Sequence, residues 1–134
     1  MELEFREARP TDYGAIVNER AAAALSGAWL RIAVCIHDSC IVGHCVGDSK
    51  TGEILGLSVQ PAYRRQGIAK RLLSLVVDWL RAAGVKRIWL DAPADTALPA
   101  HGFYRALGWR PTGDRSESGS FSTEILELPN KNAD

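Results

Sequence analysis

The sequence has no excess of charge of either sign. Its 134 residues include 16 Lys and Arg and 16 Asp and Glu, so the formal net charge at pH 7 is zero. Binding to nucleic acid or to an anionic membrane usually relies on a basic surface. Basic side chains cluster only between Arg64 and Arg71. We therefore expect no nucleic-acid partner and no membrane partner.

Long apolar runs and a secretory leader pattern are also missing. A membrane-spanning helix needs about 20 apolar residues, and the best run, 72–80, is interrupted by Asp78. Residues 1–7 are too charged for a signal peptide. We predict a cytoplasmic protein with a single domain over residues 1–128, followed by a loose tail at 129–134.

The sequence has only three cysteines and no C-x-x-C pair. Cys35, Cys40 and Cys45 fall on two consecutive predicted strands, and an odd number in a cytoplasmic chain favours free thiols. His37 and His44 lie among them, which raises the alternative of a metal site. The spacing does not match that of known metal motifs, so we expect no metal.

Apolar periodicity and turn residues predict the element order β-α-β-β-β-α-β-α-β-β, an α/β arrangement of helices packed on a sheet. The clearest helix is 68–83, where apolar residues recur at spacings of three and four. Helices are also predicted at 11–25 and 98–107. Strands are predicted at 3–8, 29–36, 41–46, 53–59, 86–90, 109–112 and 121–128, with a turn at 113–119.

The segment from Gln60 to Lys70 carries the strongest functional signal. It combines a strand exit, a basic turn around Gly67 and the first turn of the amphipathic helix. The amides of a first helical turn have no partner within the helix, and the helix end is positive. Gly67 lets the backbone approach a ligand closely. This pattern favours the binding of a pyrophosphate group.

Two motifs give the chain a family resemblance. R-x-x-G-x-A at 64–69 and F-Y-x-x-x-G-W at 103–109 resemble, in the right order, the two signatures of the GNAT-family N-acetyltransferases. The resemblance implies a mixed, mostly antiparallel central sheet of about seven strands with helices on both faces. It also implies direct transfer of an acetyl group from acetyl-CoA, or another short acyl-CoA, to a primary amine of a small molecule, a peptide or a protein.

The resemblance assigns the cofactor contacts to two places. The pantetheine arm of the cofactor is expected along the fourth strand, and the pyrophosphate at the turn and helix start. The residues of the arm site are Leu57, Ser58 and Val59. Those of the pyrophosphate site are Arg64, Arg65, Gln66, Gly67, Ile68, Ala69 and Lys70.

The resemblance also implies catalytic roles. Tyr104 would donate a proton to the departing thiolate, and the backbone N–H of Val59 would stabilise the oxyanion. The base that deprotonates the amine is either Glu53, which opens the fourth strand, or Asp91, which ends the fifth. The structural alternatives are a core aromatic for Tyr104 and a solvated strand end for each carboxylate.

The chain departs from the family pattern in two places. The family usually has two helices between the first two strands, where residues 9–28 leave little room. The asparagine that usually precedes the tyrosine by seven residues is Ala97, with Asp95 or Thr96 as substitutes. These departures sustain an alternative function, a non-catalytic acyl-CoA-binding or sensing module that acts through a protein partner. The acceptor amine and the oligomeric state, including a homodimer, stay open.

Overall fold

The computed structural model describes residues 2–12, 29–118 and 121–129. The chain divides into two compact units, Met1–Val85 and Lys86–Asp134, and the prediction of a single domain stays a prediction. The helix predicted at 11–25 lies outside the described residues except for its first two, which belong to a 3-10 turn at Pro10–Asp12.

The first unit contains an antiparallel sheet of four strands in the order β1-β2-β3-β4. A two-residue turn at Asp38 and Ser39, with φ of 49° and 63°, joins β2 to β3. Positive φ at both positions is what tight hairpins of this kind require. The strands are β1 Glu4–Glu7, β2 Leu30–His37, β3 Cys40–Asp48 and β4 Ile54–Val59.

Helix α1, Ile68–Ala82, packs across β2, β3 and β4. Close approach to β3 depends on Gly47, where an added Cβ would lie 2.5 Å from Val76 Cγ1 and 3.2 Å from Leu80 Cδ1. Burying each large apolar side chain contributes about 1.5–3 kcal/mol, so this face fixes the position of the helix. The buried residues of α1 are Ile68, Leu72, Leu73, Val76, Val77 and Leu80.

The second unit contains an antiparallel sheet of three strands in the order β5-β7-β6. A short helix, α2, packs against β5 and is followed by Gly108, whose φ is 95°. None of the described helices is long and apolar enough to cross a membrane. The elements are β5 Ile88–Pro93, α2 Pro99–Ala106, β6 Arg110–Ser118 and β7 Phe121–Leu128.

The predicted fold class is confirmed, with a correction to the end of β6. The described residues form seven strands, in sheets of four and three, and all their pairings are antiparallel. The predicted turn at 113–119 was wrong, because β6 continues to Ser118. Its Gly113 falls at an irregularity in the pairing between Pro111 and Arg115, and so bends the strand instead of ending it.

Candidate functional site

The turn before α1 has an unusual backbone. Arg65 and Gly67 both lie in the left-handed region, with φ of 64° and 78°, whereas Arg64 is extended. Left-handed residues inside a tight turn produce concavities lined by N–H groups, which bind anions. An added Cβ at Gly67 would meet no atom within 4 Å. The positive φ favours glycine here, and the space in front of it is open to a ligand.

The start of α1 leaves backbone donors available in the same place. Gly67 is the N-cap residue, its carbonyl accepts a hydrogen bond from the Arg71 amide at 3.1 Å, and it has no side-chain cap. The first-turn amides of Ile68, Ala69 and Lys70 have no acceptor within the helix. Together with the positive helix end, they provide a site for a phosphate group.

Hydrogen bonds fasten this turn to the sheet. The Gln60 amide donates to the Val42 carbonyl at 2.8 Å, and its side-chain Nε2 donates to the Ile41 carbonyl at 3.2 Å. Arg64 Nε donates to the Val59 carbonyl at 3.2 Å. A turn that is already ordered loses less entropy when it binds a ligand.

A further contact joins the turn to the β2–β3 hairpin. The hydroxyl of Tyr63 lies 2.7 Å from Nδ1 of His37, and the two rings meet edge to face with centroids 5.5 Å apart. The carboxylate of Asp38 lies 3.7 Å from Nε2 of the same imidazole. Sequence reasoning missed this pair, because nothing in the local pattern connects residues 26 positions apart.

Strand β4 is an edge strand of the four-stranded sheet, and part of its backbone points away from β3. In an antiparallel ladder, bonded and non-bonded residues alternate. The Gln60 amide donates to the Val42 carbonyl, so Gln60 is a hydrogen-bonded position. Two residues earlier, Ser58 is therefore also hydrogen-bonded to β3, whereas Leu57 and Val59 are not. The N–H and C=O groups of Leu57 and Val59 therefore point to the outer edge of β4. The Val59 carbonyl accepts the hydrogen bond from Arg64 Nε there, and the Leu57 groups can pair with an extended amide-containing chain.

The candidate acid Tyr104 lies on α2 among aromatic rings. Its ring meets Phe103 at 5.1 Å and Trp109 at 6.0 Å between centroids, both nearly edge to face. Its carbonyl accepts hydrogen bonds from the Leu107 and Trp109 amides, each at 3.1 Å. Trp109 is buried, whereas Tyr104 is half-buried. The ring is thus held on a fixed surface while part of it stays accessible.

The family assignment rests on the sequence as well as on this geometry. The sequence model of the acetyltransferase (GNAT) family matches residues 2–109. The chain belongs to the GNAT acetyltransferase family.

Individual GNAT proteins are similar over parts of the sequence or over the whole fold. The [ribosomal protein bS18]-alanine N-acetyltransferase of Escherichia coli is 36% identical over 81 residues, which are 57% of this chain and 54% of that protein. The chain thus spans about half the length of the curated relatives that it matches first.

Two solved structures share the fold. Arabidopsis thaliana Naa50 in complex with the bisubstrate analogue CoA-Ac-MVNAL has a TM-score of 0.77 at 17% identity, covering 97% of this chain and 100% of that chain. The PaiA N-acetyltransferase of Thermoplasma acidophilum in complex with coenzyme A has a TM-score of 0.73 at 18% identity, covering 97% and 100%.

The two candidate bases of this GNAT chain lie in different surroundings. Glu53 comes directly before β4 and is half-buried. Its backbone carbonyl accepts a hydrogen bond from the Asp48 amide at 2.9 Å. Asp91 is exposed and lies within β5, opposite Ile125 of β7. The prediction that Asp91 ends its strand was wrong, because the pairing with β7 continues to Pro93.

The residues that would replace the missing asparagine form a turn before α2. The carboxylate of Asp95 accepts a hydrogen bond from the Ala97 amide at 2.9 Å, and its carbonyl accepts one from the Leu98 amide at 3.2 Å. Such a turn is a common local use of aspartate. A cofactor contact by Asp95 or Thr96 stays a prediction.

The cysteines are free thiols, as predicted, with Cys35 and Cys45 buried and Cys40 exposed. Burial raises the pKa of the Cys45 thiol to about 12 and also raises the pKa of Cys35. A protonated thiol is a poor nucleophile. These two side chains therefore act as small apolar core residues.

Proposed function

We propose that this chain is an acetyl-CoA-dependent N-acetyltransferase that acts by direct transfer. The observation that carries the proposal is the turn at residues 64–67, where two left-handed residues lead into α1 with open space in front of Gly67. Membership of the GNAT family supports the interpretation of this turn as the cofactor site, because the turn carries the first family motif.

The cofactor contacts follow from the backbone of the first unit. The amides of residues 65–70 would bind the pyrophosphate, with Arg64 and Lys70 adding exposed positive charge. The outward backbone groups of Leu57 would pair with the amides of the pantetheine arm, Ser58 and Val59 would line the same stretch of strand, and the Val59 N–H would be left for the reacting carbonyl. The complexes of Naa50 and PaiA, which contain CoA or a CoA conjugate, support acetyl-CoA as the co-substrate.

The reaction needs three proton movements. A carboxylate accepts a proton from the ammonium of the acceptor, and the amine nitrogen then attacks the thioester carbonyl carbon. The N–H of Val59 stabilises the oxyanion that forms. The C–S bond breaks, and the phenol of Tyr104 gives its proton to the departing thiolate. The nitrogen, which is positively charged after the attack, gives up its second proton and so restores the phenol. The products are an N-acetylated amine, free CoA and the proton that the carboxylate releases to solvent.

Glu53 and Asp91 remain alternative bases. Glu53 is half-buried and Asp91 is exposed, so both carboxylates are accessible, and either would act directly or through one water. Glu53→Gln and Asp91→Asn, measured in parallel, separate the two: loss of the base removes the acidic limb of the rate profile, whereas loss of the other carboxylate leaves it in place.

The acceptor is a primary amine, and we favour the N-terminus of a peptide or protein over a small molecule. The similar E. coli protein acts on an alanine of a ribosomal protein, and the analogue bound to Naa50 carries the peptide MVNAL. The chain spans about half of the former protein, so its acceptor is to be found by experiment.

The test is thiol release from acetyl-CoA in the presence of peptides that begin with Ala or Met and of small primary amines. We expect turnover with at least one acceptor, with mass spectrometry confirming the N-acetylated product. Binding of acetyl-CoA without turnover on any acceptor would instead favour the sensing function, and absence of binding would contradict both.

A further inference from the structure

Strand β7 carries a charged side chain at a core position. Side chains alternate along a strand, so Glu124 shares its face with the buried Leu126. Its cross-strand neighbour on β5 is the buried Ala92. Glu124 is 7% exposed and is the single buried charged residue in the described part of the chain.

Helix α2 supplies the partner of this carboxylate. Arg105 Nη2 lies 2.8 Å from Oε1 and 2.9 Å from Oε2 of Glu124, so one nitrogen contacts both oxygens. Arg105 Nη1 also donates to the carbonyl of His101 at 3.2 Å. Nε2 of His101 lies 3.8 Å from Oε2 of the same carboxylate. The two side chains, four residues apart, thus face Glu124 together.

Helix α2 is short and only partly buried. The helix has eight residues, and none of them, all being described, is fully buried. A helix of this length is not stable alone, because isolated helices shorter than about 12–15 residues are marginal in water. Its half-buried rings provide some packing, and the ion pair adds a directional contact to β7 that restricts the rotation of the helix.

We infer that Glu124 and Arg105 are positioning residues for Tyr104. Tyr104 immediately precedes Arg105 on α2, so any rotation or shift of the helix moves the phenol with it. The inference rests on the proposed function, in which that phenol gives a proton to the thiolate. It adds a pair of residues that touch neither substrate but determine where the acid lies.

The test is a double-mutant cycle on kcat with acetyl-CoA and the best acceptor of the panel above. Glu124→Gln is combined with Tyr104→Phe, and Arg105→Gln is measured in parallel in case one variant does not fold. A misplacement of about 1 Å costs about 100-fold in rate. We expect Glu124→Gln to lower kcat by about 10- to 100-fold in the wild type and by less than about 2-fold in Tyr104→Phe.

The matched control is the Arg87–Glu127 ion pair, in which Nε of Arg87, just before β5, lies 3.2 Å from Oε2 of Glu127 on β7, with both side chains exposed. Glu127→Gln removes a carboxylate from the same strand without touching α2, and we expect its kcat to stay within about 2-fold of the wild type. Amide hydrogen exchange provides a readout without turnover: exchange at 99–106 should rise in Glu124→Gln and not in Glu127→Gln.

The possible outcomes distinguish failure of the positioning role from failure of the proposed acetyltransferase function. A fall in kcat that is equally large with and without Tyr104, or unchanged exchange in α2 of Glu124→Gln, would overturn the positioning role. Lack of turnover in the wild type would overturn the proposed function instead. Faster exchange in α2 would then show that the ion pair orders a helix without serving this reaction.

Discussion

The phenol oxygen of Tyr63 lies 2.7 Å from Nδ1 of His37, which joins the turn before α1 to the tip of the β2–β3 hairpin. The hairpin thereby braces the segment that we propose binds the cofactor pyrophosphate. Neither side chain belongs to the R-x-x-G-x-A motif, yet both restrict how its backbone can move. The consequence should be visible in the affinity for acetyl-CoA.

We expect Tyr63→Phe to weaken acetyl-CoA binding by about 3- to 10-fold. The change keeps the ring and removes one hydrogen bond, which is worth about 0.5–1.5 kcal/mol. Calorimetric titration measures the dissociation constant. His37→Phe should have a similar effect, and the double variant should be no worse than either single one, because both remove the same bond. Fully additive losses would contradict the bracing role.

Tyr104→Phe should lower kcat by about 100-fold or more without changing the affinity for acetyl-CoA. A positioned acid contributes about 10²- to 10⁴-fold, and phenylalanine preserves the ring contacts with Phe103 and Trp109. Steady-state rates of thiol release and a parallel calorimetric titration check both parts. Unchanged turnover would show that Tyr104 is a packing residue.

The close contact between α1 and β3 predicts an asymmetry between two glycines. Gly47→Ala should lower the free energy of unfolding by about 1–3 kcal/mol, because its Cβ would collide with Val76 and Leu80. Gly56→Ala, whose Cβ would meet nothing within 4 Å, should change it by less than about 1 kcal/mol. Urea unfolding measures both. Equal effects would contradict the described packing.

His44 should make the first unit less stable in mild acid. It lies on the sheet face opposite α1, between Val34 and Ser58, and burial lowers its pKa below the ordinary value. The unfolded chain, with a histidine pKa of about 6.5, then binds more protons than the folded one in the window below that value. The free energy of unfolding therefore rises with pH in this window and falls as the pH is lowered from about 6.5.

Denaturant unfolding at pH 5.5 and 7.5 checks this sign. His44→Gln should lose less stability between the two pH values than the wild type does, because it removes the group that takes up the extra proton on unfolding. An identical loss in both proteins would show that other groups cause the acid sensitivity.

Periodicity and turn chemistry predicted the elements of the sheets and of α1 well. The spacing of Ile68, Leu72 and Val76 indicated the helix and its buried face, and R-x-x-G-x-A indicated the turn that precedes it. These signals are local, and the structure places the residues accordingly. Strand ends were less predictable: Gly113 and Asp114 are typical of a turn, but pairing with β7 carries β6 past them.

The contacts between distant segments could not be read from local patterns. His37 and Tyr63 meet because β3 and β4 bring the hairpin tip beside the turn, which only the register determines. The sequence does indicate an unusual position for Glu124, because the alternation along the strand places it on the same face as the apolar Leu126. Its partner Arg105 lies in the last turn of α2, and nothing in the local sequence indicates that it pairs with a residue of β7.

The most direct test of the central claim is calorimetric titration of acetyl-CoA into the wild type, Gly67→Glu and Gly84→Glu. Both glycines have positive φ, 78° and 89°, with open space around them, but only Gly67 lies at the proposed pyrophosphate site. We predict micromolar binding to the wild type and to Gly84→Glu and none to Gly67→Glu, where a carboxylate would face the phosphates. Absence of binding to the wild type, or equal binding to all three proteins, would contradict the account.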